Sequence, residues 1–241
     1  MALLFLVGSL EFGRLAALGT IPRYLLAGFQ ALLLGLALWR WDSLVSLTQP
    51  ILVAACLTWC LMLLRLVTFK AGDRPGLNYH MVSFFCALAS ISFAWFALSW
   101  LREQPRGEWT VLLLLFIIWA ADIGAYFTGR LLGRNKLAPS ISPGKTREGL
   151  LGGVLLALLV AQVLANYSGT FHPPSWSLAL ITIVTALVSA AGDLFISIHK
   201  RTAGVKDSGR LFPGHGGVLD RFDSLLAGAP FFALGTYLLG S

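Results

Sequence analysis

The sequence predicts an all-α polytopic integral membrane protein of about eight transmembrane helices, with a polar cavity facing the cytoplasm. Three observations carry this expectation. Hydrophobic residues fill 57% of the 241 positions and charged residues only 12%, and the mean hydropathy is +0.78, outside the usual range of soluble domains. Apolar runs recur at lengths that let a helix rising ~1.5 Å per residue cross a hydrocarbon core of about 30 Å. The charges that remain are concentrated between these runs, most densely from Gly192 to Asp223.

Taken in order, the apolar segments are expected at roughly 2–18, 24–39, 44–69, 80–101, 109–128, 149–165, 176–199 and 222–240. The first begins beside Met1 without a basic leader or a small-residue cleavage site, and so reads as a retained span. Placing the connections after spans 1, 3, 5 and 7 on one face gathers 15 of the 18 Lys and Arg, including Lys70 and Arg74. The other face keeps Arg40, Arg102 and Arg106. The positive-inside rule makes the richer face cytoplasmic and turns both termini away from it. A net charge of +7 spread over short connections suits membrane topology and phosphate contact, and no nucleic-acid partner is expected. Cys56, Cys60 and Cys86 fall in apolar runs without zinc-ligand spacing and read as packing residues.

Residues 1–108 carry little chemistry. Glu11 and Arg14, three positions apart, read as a helix-face pair. Residues 109–241 form the expected catalytic segment. Asp122 in WAADIGAYFTGR and Asp193 in SAAGDLFIS each fall inside a span, about 10 Å from its cytoplasmic end. A carboxylate there costs at least ~2.5 kcal/mol, so each is expected to face a polar cavity and a cation. Ser189, Asp193, Ser197 and Lys200 recur at helical spacing and form a polar stripe. Ala190, Ala191 and Gly192 beside it permit close approach of another helix.

The loop between spans 5 and 6 ends in Ser142-Pro143-Gly144-Lys145-Thr146. A nucleotide-binding P-loop is excluded, because Pro139 stands where the motif needs glycine and no strand precedes it. Ser142 is expected to cap the following helix, with Pro143 in its first turn, aiming backbone N–H groups, Lys145 and Thr146 at a phosphate. The last loop joins Lys200, Arg201, Lys206 and Asp207 to the glycine-rich Pro213–Gly217 and to Asp220, Arg221 and Asp223. Carboxylates among fixed cations suit a divalent metal bridging to phosphates.

The run Ser197, Lys200, Arg201, Lys206, Asp207, Gly209, Phe212, Pro213, His215, Gly216, Gly217, Asp220, Arg221 and Asp223 resembles the signature of the phosphatidate cytidylyltransferases, or CDP-diacylglycerol synthases. The likeness extends upstream to WAADIGAYFTGR and KLAPSISPGKTREG and covers about residues 109–241. His199 departs from the pattern, where the family has an apolar residue.

The resemblance implies condensation of CTP with phosphatidic acid to CDP-diacylglycerol and pyrophosphate, in phospholipid biosynthesis. It implies Mg²⁺ at two cation sites held by Asp193, Asp220 and Asp223. Lys200, Arg201, Lys206, Asp207, His215 and Arg221 fall to catalysis, and Asp122, Ser142, Lys145, Thr146, Ser197, Gly216 and Gly217 to substrate phosphates. It also implies a homodimer. Two other readings stay open. A transporter using Asp122 and Asp193 would need polarity continuing to the far face, where spans 5 and 7 read LLLLFIIW and LALITIV. Another lipid phosphate as acceptor would leave the same motif.

Overall fold

The apolar runs fold as helices, and in the computed structural model these pack around a shared core, with one short hairpin between them. The structure describes residues 2–69, 76–168, 175–209, 211 and 216–239. His215 lies outside them, together with Arg210, Phe212, Pro213, Lys70 and Arg74. In chain order come α1 (Ala2–Leu15), α2 (Thr20–Trp39), α3 (Trp41–Val45), α4 (Thr48–Leu63), α5 (Arg65–Thr68), α6 (Leu77–Glu103) and α7 (Gly107–Leu132). A hairpin of β1 (Lys136–Ala138) and β2 (Ser142–Thr146) then leads to α8 (Arg147–Ser168), α9 (Ser175–Thr202) and α10 (Leu219–Leu239).

Seven helical stretches among the described residues are long and apolar enough to cross a membrane. The expected first span is not one of them. α1 has 14 residues, which rise about 21 Å, short of the ~30 Å core. The last span starts earlier than its apolar run suggests, at Leu219, and so takes in Asp220 and Arg221. α7 and α9 continue to Leu132 and Thr202. Asp122 and Asp193 therefore stand about 15 and 14 Å inside their helix ends, deeper than expected.

One apolar core runs through residues of α1, α2, α4 and α6 to α10, including Phe12, Leu26, Trp59, Ile91, Leu114, Ala157 and Phe232. Lipid offers no hydrophobic drive for helices to associate, so close packing must hold them. At the α7–α8 seam Ala121, Ala125 and Gly129 recur every four residues, facing Gly149 and Gly153. A Cβ on Gly149 would stand 2.7 Å from the Ala125 carbonyl, one on Gly124 2.8 Å from the Gly152 carbonyl, and one on Gly153 would strike the Ala121 carbonyl. Backbone thus lies directly on backbone. α9 and α10 also approach closely, since a Cβ on Gly192 would fall 2.6 Å from Ala227 Cβ and 3.1 Å from the Asp223 carbonyl, as the small residues beside the α9 stripe predict.

Gly153→Leu should force the α7–α8 seam apart. A loss of about 1–3 kcal/mol or more is expected, read as a lowered thermal midpoint of the detergent-solubilised protein against Leu151→Ala on the exposed side of α8.

Candidate functional site

The loop before α8 departs from its expected form. Ser142 does not cap a helix; it begins β2, which pairs antiparallel with β1 in the register Ala138↔Ser142 and Lys136↔Thr146. Pro143 and Gly144 are poor helix formers and fit a short edge strand. The cap is Thr146, whose hydroxyl accepts the Gly149 N–H at 3.0 Å. Glu148 ties the hairpin's entry to the helix. Its carboxylate accepts the Asn135 side-chain amide at 2.6 Å and the backbone N–H groups of Arg134 and Asn135 at 3.2 Å. Arg201 donates from Nε to the Ile141 carbonyl at 3.1 Å, and Ile141 is buried against Leu194 and Ile198.

Held this way, the hairpin delivers Lys145 to α9. Its Nζ lies 2.6 Å from Asp193 Oδ2 and donates to the Ala190 carbonyl at 3.3 Å. The intramembrane carboxylate therefore has its cation, supplied from a loop 48 positions earlier in the chain. Ser197 donates to Asp193 Oδ1 at 3.4 Å, so the stripe acts as a unit. One turn further, Lys200 lies 3.0 Å from Asp220 Oδ1 and 3.6 Å from Asp223 Oδ2. Asp220 and Asp223 share one face of the first turn of α10, as their spacing predicts.

Asp220 is also tied to the glycine-rich loop. Its Oδ2 accepts the Ser208 N–H at 2.7 Å, the Gly217 N–H at 2.9 Å and lies 3.0 Å from the Ser208 hydroxyl. Gly216 has φ +82°, and a Cβ there would fall 2.5 Å from Asp220 Oδ2. Only glycine fits both the backbone and the space. Gly216 and Gly217 thus shape the loop behind Asp220.

Two cavities result. One, of about 360 Å³, is lined by Asp193, Ser197 and Lys200 of α9, by Arg201, Lys206 and Asp207 after it, and by Asp220, Arg221 and Asp223. The other, of about 580 Å³, lies between α7, α8 and the hairpin; Ala125, Leu150, Val154 and Ala186 line it together with Ser142, Lys145 and Thr146. Asp122 lines both. α9 is the wall between them, Asp193, Ser197 and Lys200 of its stripe facing the first cavity and Ala186 and Ala190 the second, while Ser189 is buried and donates to the Ala186 carbonyl.

Ten of the residues singled out from sequence therefore share the charged cavity, and three more share its neighbour. His199 turns away. Its Nδ1 lies 3.0 Å from the Phe195 carbonyl and its Nε2 3.3 Å from Ser83 Oγ, with its ring edge-on to Phe12 and Phe195. The far half of α9 is less apolar than the run LALITIV suggests, since Ser177, Thr182 and Thr185 are buried there, but none of them lines either cavity. Sequence reasoning missed Glu11. Its carboxylate accepts hydrogen bonds from Ser208, Val218 and Leu219 in place of the expected pairing with Arg14. The signal was present: an acid within an apolar run needs a partner.

Among the described residues no group of three or more His, Cys, Asp or Glu converges on one point as a metal cage. The donor chemistry still fits Mg²⁺, which takes oxygen ligands and commonly uses one or two carboxylates, completing its shell with water and substrate phosphate. Asp193 and Asp223 line the same cavity and could supply those carboxylates. Both Asp220 oxygens are engaged, Oδ2 by the loop and Oδ1 by Lys200.

Membrane-length helices thus surround a charge-lined chamber that shares Asp122 with a larger, mostly apolar one. The chain belongs to the cytidylyltransferase family, whose sequence profile it matches over residues 1–239. It is similar to the phosphatidate cytidylyltransferase of Haemophilus influenzae, with 37% identity over 194 residues, or 77% of this chain and 67% of the relative. It is 39% identical over 208 residues to the protein of that name from Brucella suis, or 83% of this chain and 67% of the relative. The Staphylococcus epidermidis protein of that name is 45% identical over 143 residues, or 59% of this chain and 54% of the relative. The matches thus span roughly half to two thirds of these relatives' length.

Lys200→Met should leave Asp220 and Asp223 without their cation. The Lys200 and Asp220 side chains are only 12% and 8% exposed, so breaking this pair should cost about 3 kcal/mol. The thermal midpoint in detergent should fall well below that of an exposed control, Arg130→Met.

Proposed function

We propose that the chain condenses CTP with phosphatidic acid, forming CDP-diacylglycerol and pyrophosphate in phospholipid biosynthesis. One observation carries the reading. A charged cavity suited to a triphosphate shares Asp122 with a larger and mostly apolar cavity suited to a lipid, and Lys145 of the larger one pairs with Asp193 of the charged one. The family and the names of its relatives supply the cytidylyl group and the phosphatidate acceptor.

The reaction makes one P–O bond and breaks another. An oxygen of the lipid phosphate attacks the α-phosphorus of CTP, and the α–β bridging oxygen leaves with pyrophosphate. The nucleophile is already anionic, so no strong base is required. The obstacle is repulsion between two anions, met by cations fixed in place beforehand. Lys200, Arg201, Lys206 and Arg221 receive the triphosphate from the water side. Lys145, poised between the two cavities, steers the lipid phosphate toward it, with Ser142 and Thr146 in the same wall and Ser197 beside Asp193. Asp207 and Asp122 line the same charged chamber, and His215, outside the described residues, belongs to the same signature run.

Asp193, Asp220 and Asp223 would hold Mg²⁺ at two cation sites, with Lys145 and Lys200, their present partners, freed toward the phosphates. Bound there, the metal would neutralise phosphate charge as pyrophosphate departs. The charged cavity faces the cytoplasm, where CTP is made, in keeping with the 15-to-3 division of Lys and Arg between the two faces. A homodimer belongs to this reading through the family resemblance.

Sealed inside-out vesicles carrying the protein, given CTP, phosphatidic acid and Mg²⁺, should release pyrophosphate and accumulate a CDP-lipid. Right-side-out vesicles should not, because CTP cannot cross the bilayer. Asp193→Asn should lower turnover by at least about 100-fold while the protein stays folded in detergent. Absence of a CDP-lipid with phosphatidic acid, or near-normal turnover by Asp193→Asn, would contradict the assignment.

A further inference from the structure

Glu11 lies within α1, yet its partners are about 200 positions away in the chain. It is only 7% exposed. Oε1 accepts the Val218 N–H at 3.1 Å, and Oε2 accepts the Leu219 N–H at 2.8 Å and the Ser208 hydroxyl at 2.8 Å. Two of these donors stand at the start of α10, where backbone N–H groups lack partners in their own helix and an anion is favoured. Ser208 joins two carboxylates: its Oγ also lies 3.0 Å from Asp220 Oδ2, and its N–H donates there at 2.7 Å.

Two glycines of the signature loop leave the hollow that this carboxylate fills. A Cβ on Gly209 or on Gly217 would overlap the Glu11 carboxylate oxygens. Ordinary packing of α1 on α10 needs no such arrangement, since Phe5 and Phe222 already meet there at 6.2 Å between ring centroids. An acid buried this deeply is costly unless its oxygens are satisfied, and all of its donors belong to the loop and helix start that carry Asp220.

We propose that Glu11 is a positioning residue for the reaction centre. By holding Ser208, Val218 and Leu219 it fixes the start of α10, and with it sets Asp220 against Lys200. The inference rests on the assignment of Lys200 and Asp220 to handling the nucleotide phosphates. Glu11 itself touches no substrate. Its loss acts through the loop and is felt on the nucleotide side, while the lipid side, built from α7, α8 and the hairpin, is spared.

The test compares wild type, Glu11→Gln, Ser208→Ala, Gly209→Ala, Glu11→Ala and the double variant Glu11→Ala/Gly209→Ala, in detergent with CTP, phosphatidic acid and Mg²⁺. Glu11→Gln and Ser208→Ala should each lower kcat/KM for CTP by about tenfold or more, with KM for phosphatidic acid within about twofold of wild type. Gly209→Ala should cost about tenfold alone but less than about twofold on the Glu11→Ala background. Independently of turnover, trypsin should cut after the exposed Lys206 about tenfold faster in Glu11→Gln. The clamp is overturned if Glu11→Gln and Ser208→Ala keep wild-type kcat/KM and wild-type protection of Lys206, or if Gly209→Ala costs the same with and without Glu11. Should Glu11→Gln fail to fold, Ser208→Ala decides by the same two readouts. A wild-type protein without turnover would overturn the proposed reaction instead, and Lys206 protection would still decide the clamp.

Discussion

The charged site depends on pairing the carboxylates that lie inside membrane-spanning helices with cations. Asp193 is nine residues from the end of α9, and no residue of its own turn can neutralise it. Lys145 does so at 2.6 Å, and it must be carried there. The hairpin carries it, and Thr146, Glu148 and Arg201 hold the hairpin by one capping bond, a set of bonds to Asn135 and Arg134, and one bond to the Ile141 carbonyl. Lys200 solves the same problem for Asp220 and Asp223 from within α9. The two lysines thus hold three carboxylates in fixed positions.

The division into two cavities is a packing consequence. Glycine and alanine at four-residue spacing bring the backbones of α7 and α8 into contact, and the hairpin leaves α7 and returns at α8. The space between this pair and α9 is lined by small and aliphatic side chains and opens on Lys145. On the other face of α9, the stripe meets the start of α10 and the chamber is ionic. One helix therefore presents two chemistries; Asp122 lines both cavities, and the Lys145–Asp193 pair links one to the other.

Much of this was legible in the chain because it was local. The stripe Ser197–Lys200 and the pair Asp220/Asp223 are helical neighbours, and spacing alone put them on common faces. Intramembrane carboxylates announce a cation partner, though not which one. What escaped was long-range or backbone-led. Ser142-Pro143 has the composition of a helix start, and only the antiparallel return onto Lys136–Ala138 makes it a strand. Glu11 had a plausible cation three residues away, and nothing local could reveal that its oxygens serve loop donors near the other end of the chain. The first apolar run exceeded the helix it makes, because Ala17 leaves the helix with φ 53° and Gly19 precedes α2.

The central claim is that Lys145 and Asp193 act as one neutralised pair inside the membrane. A double-mutant cycle of Lys145→Met and Asp193→Asn, followed by reversible unfolding in detergent, tests it directly. The side chains are 27% and 25% exposed, so screening trims the coupling below that of a fully buried pair, to about 1 kcal/mol or somewhat more. The account predicts that the double variant is more stable than the sum of the two single losses by that amount. Strictly additive losses would contradict it.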